Sequence, residues 1–338
     1  MFNKPIFFER NRVGRVYLGG KLFGDFFGDE PVDGFEPEEW IASNVKAINK
    51  VEKSPKEGIS KIKDTELYFD DLLKKHPEEM LGTNRNFRVL VKGLDSAIRL
   101  PAQAHPDKAF SRKYFNSNFG KTECWVILAT RPDAKIYFGF KEGVTKEQFL
   151  KVIDDSEHDA NAMERLMKSI EPKIGEVLLV PAKTVHAIGA GCLILEIQEP
   201  TDFTIQPERF CGDYKLSDNE MYLGLSKEIA VECFDFGESP DAIIKPETVK
   251  SEKGIKVESL INEKHTDCFI INRISLSGGM FTADVKDSYA IYIVTDGEAE
   301  ITGDGYGKKI GKGDYFFMPA ASMGKYKICG NANIIECY

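Results

Sequence analysis

Missing from this sequence of 338 residues is any apolar run that approaches a membrane span. The segment MFNKPIFFERNRVGRVYLGG also holds no apolar stretch long enough for the core of an export signal. These two absences predict a cytoplasmic protein without a membrane partner. Paired cysteines are missing as well. The seven cysteines (124, 192, 211, 233, 268, 329 and 337) are odd in number, scattered and free of any CxxC spacing, so they read as reduced thiols. Cys124 neighbours a candidate ligand and is expected to pack rather than to bind. Basic charge is in deficit: 45 Lys and Arg face 54 Asp and Glu, a formal net charge of −9. With no stripe of Lys and Arg, nucleic acid is excluded as a partner. An anionic substrate would have to be met by a few local cations instead of by the overall field. No internal repeat and no low-complexity tract is visible.

What is present is enough apolar material, 42% of residues, for two domains that each bury a core. Gly-rich turns and aromatic runs in the opening third suit short strands and loops. Residues 64–81 (DTELYFDDLLKKHPEEML) carry a helical pattern, with Leu67, Leu72, Leu73 and Met80 as candidate buried positions. Residues 87–101 (FRVLVKGLDSAIRLP) return to strand chemistry. A second helical patch is expected over 145–170, opened by a capping box from Thr145 to Gln148 and continued by Met163, Leu166, Met167 and Ile170. Such a Met stripe is read as core. Residues 174–205 read as strand–turn–strand, and 236–256, rich in Pro, Glu, Lys and Ser, as an interdomain linker. Short strands then dominate (268–274, 289–294, 298–302, 314–319, 333–338), which predicts an all-β barrel or sandwich.

One constellation carries chemistry. Gln103 and His105 lie two apart in LPAQAHPDK, and alternation along an extended segment points both side chains to one face. Glu123 follows in GKTECW and His186 in PAKTVHAIGAG. Two imidazoles, a carboxylate and an amide oxygen are donors that suit Zn²⁺. With a single anionic ligand the bound ion keeps net positive charge and remains a Lewis acid. Each residue taken alone also has an ordinary reading, as a satisfied histidine or a surface carboxylate. The chain has only five histidines, however, and two of them fall at Gly- and Pro-punctuated strand ends with oxygen donors nearby.

Gly175, Pro181 and His186 have the spacing of the second cupin motif. Together QAHPDK, GKTECW, VPAKTVHAIGAG and LEIQEPTD, with YLGG and EEWIAS upstream, resemble the type I mannose-6-phosphate isomerases in their shorter bacterial form. The resemblance covers most of residues 1–210 as ordered motifs and the remainder by architecture. It implies a mainly β fold of two cupin-like barrels or jelly rolls with small helical insertions. The expected domains are a metal-binding one over 1–240, with insertions near 60–82 and 145–170, and a metal-free one over 255–338. It also implies that Gln103, His105, Glu123 and His186 hold one zinc ion per chain, with no organic cofactor. Gly313, Pro319 and Gly324 repeat the spacing of Gly175, Pro181 and His186, but Gly324 stands where the His would be, and no His follows His265. The second barrel is therefore expected to be structural.

The implied activity is a zinc-dependent aldose–ketose isomerisation of mannose 6-phosphate and fructose 6-phosphate through a cis-enediol. Lys121, two residues from Glu123, is the candidate phosphate contact or proton shuttle; otherwise it is a solvated surface lysine. Glu196 and Gln198 share one face of CLILEIQ, inward or outward according to register. Asp202 is the candidate for acid–base work or for a sugar hydroxyl. The departure lies four residues on, where the family has Arg and this chain has Gln206. A neutral amide cannot replace a bidentate guanidinium on phosphate. Arg209, three residues further, is the candidate substitute, since Pro207 alters the chain direction. The competing expectation is a non-catalytic or altered-specificity cupin that binds a sugar or sugar phosphate. Oligomeric state is left open.

Overall fold

Alternating apolar and polar residues sort the strands of this chain into two β units that share one apolar seam. The computed structural model describes residues 2–83, 85–303 and 305–338. In the first unit seven antiparallel strands run in the order Arg12–Val13, Glu38–Ile41, Leu90–Ser96, Cys192–Gln198, Glu123–Thr130, Val177–Val180 and Ile243–Ile244. A three-stranded sheet, Met167–Ile170, Ile136–Phe140 and His186–Ile188, faces it. Trp125, Ile136, Phe138, Leu178 and Ile194 fill the space between them.

The strand Cys192–Gln198 shows how register assigns the faces. Leu195 and Ile197 join the seam with the second unit, whereas Ile194 packs into the interior of the first. Glu196 therefore points inward with Ile194, which resolves the register question in favour of the cavity.

The second unit orders its strands Glu247–Glu252, Ile255–Ile261, Ile271–Thr282, Lys327–Cys337, Ala290–Gly303 and Tyr306–Gly311, with Tyr315–Met318 paired to Ala290–Gly303. Ile274, Tyr292, Ile301, Phe316 and Ile334 form its own core. Across the seam, Ile41, Val91, Leu195 and Ile197 meet Ile271, Ile291, Phe317 and Ile335. The mainly β architecture expected from the sequence is the one adopted.

Three local expectations are corrected. The helical stretch over 64–81 is two helices, Phe69–Lys75 and Pro77–Leu81, because Pro77 removes an N–H and restarts the turn. Leu67 lies before both and is exposed, while Leu72, Leu73 and Met80 are buried as expected. The patch over 145–170 forms a helix only across Lys146–Asp155, capped as predicted by Thr145 and Gln148. Met163 and Met167 are buried, but Met167 opens the strand Met167–Ile170, so their helical spacing was coincidental to sheet packing. Finally, 236–256 is no loose linker. Ile243–Ile244 pairs with Val177–Val180 at the edge of the first sheet, and Glu247–Glu252 opens the second.

Candidate metal centre and cavity

Gln103 and His186 are set opposite each other by an isolated antiparallel bridge, and Ala104 bridges to Ile205 in the same way. His105 follows with its ring reversed from solvent. Its Nδ1 donates to the Phe203 carbonyl at 2.9 Å, and His186 Nδ1 donates to the Thr184 carbonyl at 2.9 Å. A carbonyl only accepts, so each ring carries its proton on Nδ1 and turns the Nε2 lone pair inward. Burial pushes the His105 imidazole down to about 3 and lowers that of His186 as well. Both rings are neutral, which is the form that binds a metal.

Glu123 starts its strand between these rings and is fully buried. Its Oε1 lies 3.0 Å from His105 Nε2 and its Oε2 lies 3.7 Å from His186 Nε2. Burial opposes ionisation of Glu123, but the Lys121 ammonium beside it outweighs that cost and holds the carboxyl well below the ordinary range. One donor atom each from His105, Glu123 and His186 falls within 4.8 Å of the others. Gln103 adds its amide, whose Nε2 is 3.3 Å from His186 Nε2. A half-turn of that amide presents oxygen in place of nitrogen. Glu123 Oε1 accepts no well-aligned hydrogen bond despite its complete burial. A buried, charged oxygen left in that condition beside two inward lone pairs fits a cation.

Lys121 reaches into the same centre. Its Nζ is 2.9 Å from Glu123 Oε1, 3.0 Å from His105 Nε2 and 3.5 Å from Thr204 Oγ1. The surface-lysine reading is thereby excluded, since the residue is buried.

Gln103 and Lys121 also line a cavity of about 410 Å³. Glu196 lines it too, accepting from the Trp125 indole at 3.0 Å and from Lys92 Nζ at 3.0 Å. Burial, joined by the charge of Glu123, raises the pKa of Glu196. Gln198 is turned away from this network and donates to the Glu199 and Thr201 carbonyls. Asp202 lines the cavity with both oxygens engaged: Arg15 donates to them at 3.0 and 3.2 Å, and the Ile48 N–H donates at 2.8 Å. Gln206 lines it as well, with its amide donating to the Glu220 carbonyl at 3.1 Å.

The structure does not bring Arg209 to this cavity. Its guanidinium lies 2.7 Å from Glu157 and 2.8 Å from Asp218, and it also donates to the Leu216 carbonyl. Engaged by these partners and not lining the cavity, it does not stand in for the guanidinium absent at Gln206.

Four cavity residues escaped the reading of the sequence: Arg15, Tyr17, Glu38 and Lys92. Glu38 accepts from Arg15 at 2.9 Å, from the Tyr17 hydroxyl at 2.5 Å and from the Trp40 indole at 2.7 Å. A signal for Lys92 was available. A lysine in the middle of LVKGL, an otherwise apolar strand, is buried only if it is paired.

Residues 262–338 match the family model described as mannose-6-phosphate isomerase, cupin domain. A mannose-6-phosphate isomerase of Bacillus subtilis, ManA, is 31% identical over 252 residues, covering 74% of each chain. The mannose-6-phosphate isomerase of Streptococcus mutans is 26% identical over 99% of this chain and 98% of its own. Among solved structures, the crystal structure of mannose 6-phosphate isomerase from Bacillus subtilis superposes with a TM-score of 0.78 at 25% identity, covering 99% of both chains.

Proposed function

This chain belongs to the mannose-6-phosphate isomerase family, and from that premise we propose that it interconverts mannose 6-phosphate and fructose 6-phosphate in the cytoplasm, with zinc held by Gln103, His105, Glu123 and His186. The observation that carries the reading is the pair of inward Nε2 lone pairs flanking Glu123, at the edge of a cavity lined by Lys121 and Glu196.

When bound, zinc supplies a Lewis acid for neighbouring sugar oxygens. The chain's own residues supply the remainder. Isomerisation takes a proton from C2 of the aldose, returns it to C1 through a cis-enediol, and moves a hydroxyl proton between the two oxygens. We assign the carbon-bound proton to Glu196, whose two oxygens Trp125 and Lys92 hold in orientation. Lys121 presents an ammonium at the centre, where negative charge develops on the enediol oxygen. Asp202 takes the part of holding Arg15 and the backbone at Ile48, to which its two oxygens are bonded. The half-buried Arg15, with the buried Glu38 and Lys92, stiffens the wall behind these residues.

Recombinant protein analysed for bound metal and assayed with mannose 6-phosphate in a coupled reaction tests the proposal. One zinc per chain with measurable turnover is the expected result. Stoichiometric zinc without turnover would sink the catalytic reading.

A further inference from the structure

The cations that line the cavity differ in how far their charge is already met. Arg15 is shared between Glu38 and Asp202. Lys92 sits 3.0 Å from Glu196, Lys121 sits 2.9 Å from Glu123, and Lys53 is ion-paired with Glu36. Lys50 differs from these four. The carboxylate beside it, Glu220, has its Oε2 3.8 Å from Lys50 Nζ, beyond hydrogen-bond reach. That oxygen already accepts from the Ser217 N–H at 2.9 Å and the Ser217 hydroxyl at 2.5 Å, and Oε1 accepts from the Tyr214 hydroxyl at 2.7 Å. The Lys50 side chain is 61% exposed although it lines the cavity, which places its ammonium at the mouth and not in the wall.

The place of that ammonium follows from Glu220. Gln206 donates to the Glu220 carbonyl, and Lys50 approaches the Glu220 carboxylate, so the two side chains converge on one residue. A neutral amide and a cation thus share Glu220, and among the described residues that cation has no carboxylate at hydrogen-bond distance, its other neighbour being the Tyr214 ring 6.0 Å away. The segment bearing Lys50 is also anchored on both sides. The Ile48 N–H donates to Asp202, and Asn49 accepts from Arg15 at 3.0 Å and donates to Glu57 at 3.0 Å. The Lys53 N–H donates to Glu57 at 3.0 Å. Gly58 closes the segment with φ +89°, and a Cβ there would lie 2.7 Å from the Trp40 ring. With the backbone already fixed, the ordering cost of engaging an anion is confined to the Lys50 side chain.

We infer that Lys50 is the phosphate-recognising cation of this cavity, supplying from the segment before Gly58 the positive charge that Gln206 does not. The inference rests on the hexose-phosphate reading above and deepens it, since it makes Lys50 the residue that separates a phosphorylated sugar from a free one. The sugar then enters with its phosphate at the mouth and with C1 and C2 toward Gln103 and Lys121. An ammonium is a point charge and not a planar fork, so this grip depends on ionic strength more than on phosphate orientation.

The test is calorimetric titration of wild type and Lys50→Ala with mannose 6-phosphate and with mannose, alongside turnover. Competition by inorganic phosphate gives a readout independent of the sugar. Lys50→Ala should bind mannose 6-phosphate and inorganic phosphate about tenfold more weakly, with mannose affinity moved less than about twofold. The double variant Lys50→Ala with Gln206→Arg should regain phosphate affinity. Equal affinity of wild type and Lys50→Ala for mannose 6-phosphate overturns the inference, as does a parallel loss of mannose binding. If wild type binds the sugar phosphate through Lys50 yet does not turn it over, the isomerase reading falls and this inference stands. If wild type turns over and Lys50→Ala keeps its KM, the inference falls alone.

Discussion

Gln103 and His186, 83 positions apart in the chain, exchange both backbone hydrogen bonds at 2.9 Å and bring their side-chain nitrogens to 3.3 Å. The centre is thus closed by backbone pairing as well as by side chains, so a metal held there would be coupled to the stability of that pairing. A ligand that binds only the folded chain stabilises it by roughly 4 kcal/mol at a thousandfold excess over its Kd. Chelation should therefore lower the melting temperature of the protein by several degrees, and re-addition of zinc should restore it. His186→Ala should hold no metal and melt at the same temperature with or without chelator. Wild-type melting that ignores the chelator would remove the metal from the site.

Lys121 is placed by Glu123 and His105 and by Thr204, not by the cavity wall, so its truncation leaves a local vacancy beside ligands that remain fixed through Phe203 and Thr184. Lys121→Ala is expected to keep its metal and to lose kcat by roughly 100-fold or more, the scale of a displaced proton-transfer or charge-stabilising group. Steady-state kinetics with metal analysis on the same sample checks this. A kcat within tenfold of wild type would return Lys121 to a packing role.

The donors of the centre were legible in the sequence because each sits in a short motif whose alternation fixes its side: Gln103 with His105, Lys121 with Glu123. The wall behind them was not. Arg15, Glu38 and Lys92 come from three separate strands or loops, and only the strand order Glu38–Ile41, Leu90–Ser96, Cys192–Gln198 sets Lys92 between Glu38 and Glu196. Sheet order is a long-range property that local periodicity does not carry. Helix limits failed for a related reason. Met163 and Met167 satisfy a helical period and a sheet core alike, and tertiary packing chose the latter. The two-unit β architecture was readable from strand spacing, whereas the pairing of Ile243–Ile244 with Val177–Val180 depended on a contact that the Pro- and Glu-rich composition around it concealed.

Asp202 ties the cavity to the segment that carries Lys50, through Ile48 on one side and Arg15 on the other. Asp202→Asn keeps the shape but replaces one acceptor with an NH₂ that faces an existing donor. Losing a charge-assisted bond of this kind is worth about 1.5–3 kcal/mol. The Ile48 amide should then exchange with solvent at least about tenfold faster, and KM for mannose 6-phosphate should rise more than kcat falls. Hydrogen exchange resolved at residues 46–50 is the measurement. Unchanged protection there, with a large loss of kcat, would instead restore Asp202 as an acid–base residue.

Glu336 is a buried carboxyl in the second unit, held by the Asn272 amide at 2.8 Å and the Tyr292 hydroxyl at 2.7 Å, both donating. Burial raises its pKa above the ordinary value of 4.5, against the opposing effect of those two bonds. The folded protein therefore holds this proton more tightly than the unfolded chain does. Its contribution to stability is fully present below about pH 4.5 and is lost as pH rises through the raised value. Glu336→Gln removes the ionisation while keeping the shape: the amide oxygen accepts from Asn272, and the Tyr292 hydroxyl rotates to accept from the amide N–H. The variant should match wild type in urea unfolding at pH 4 and exceed it by something on the order of 1 kcal/mol at pH 8. A difference that stays constant between those pH values would mean that Glu336 folds as a carboxylate, with Asn272 and Tyr292 outweighing its burial.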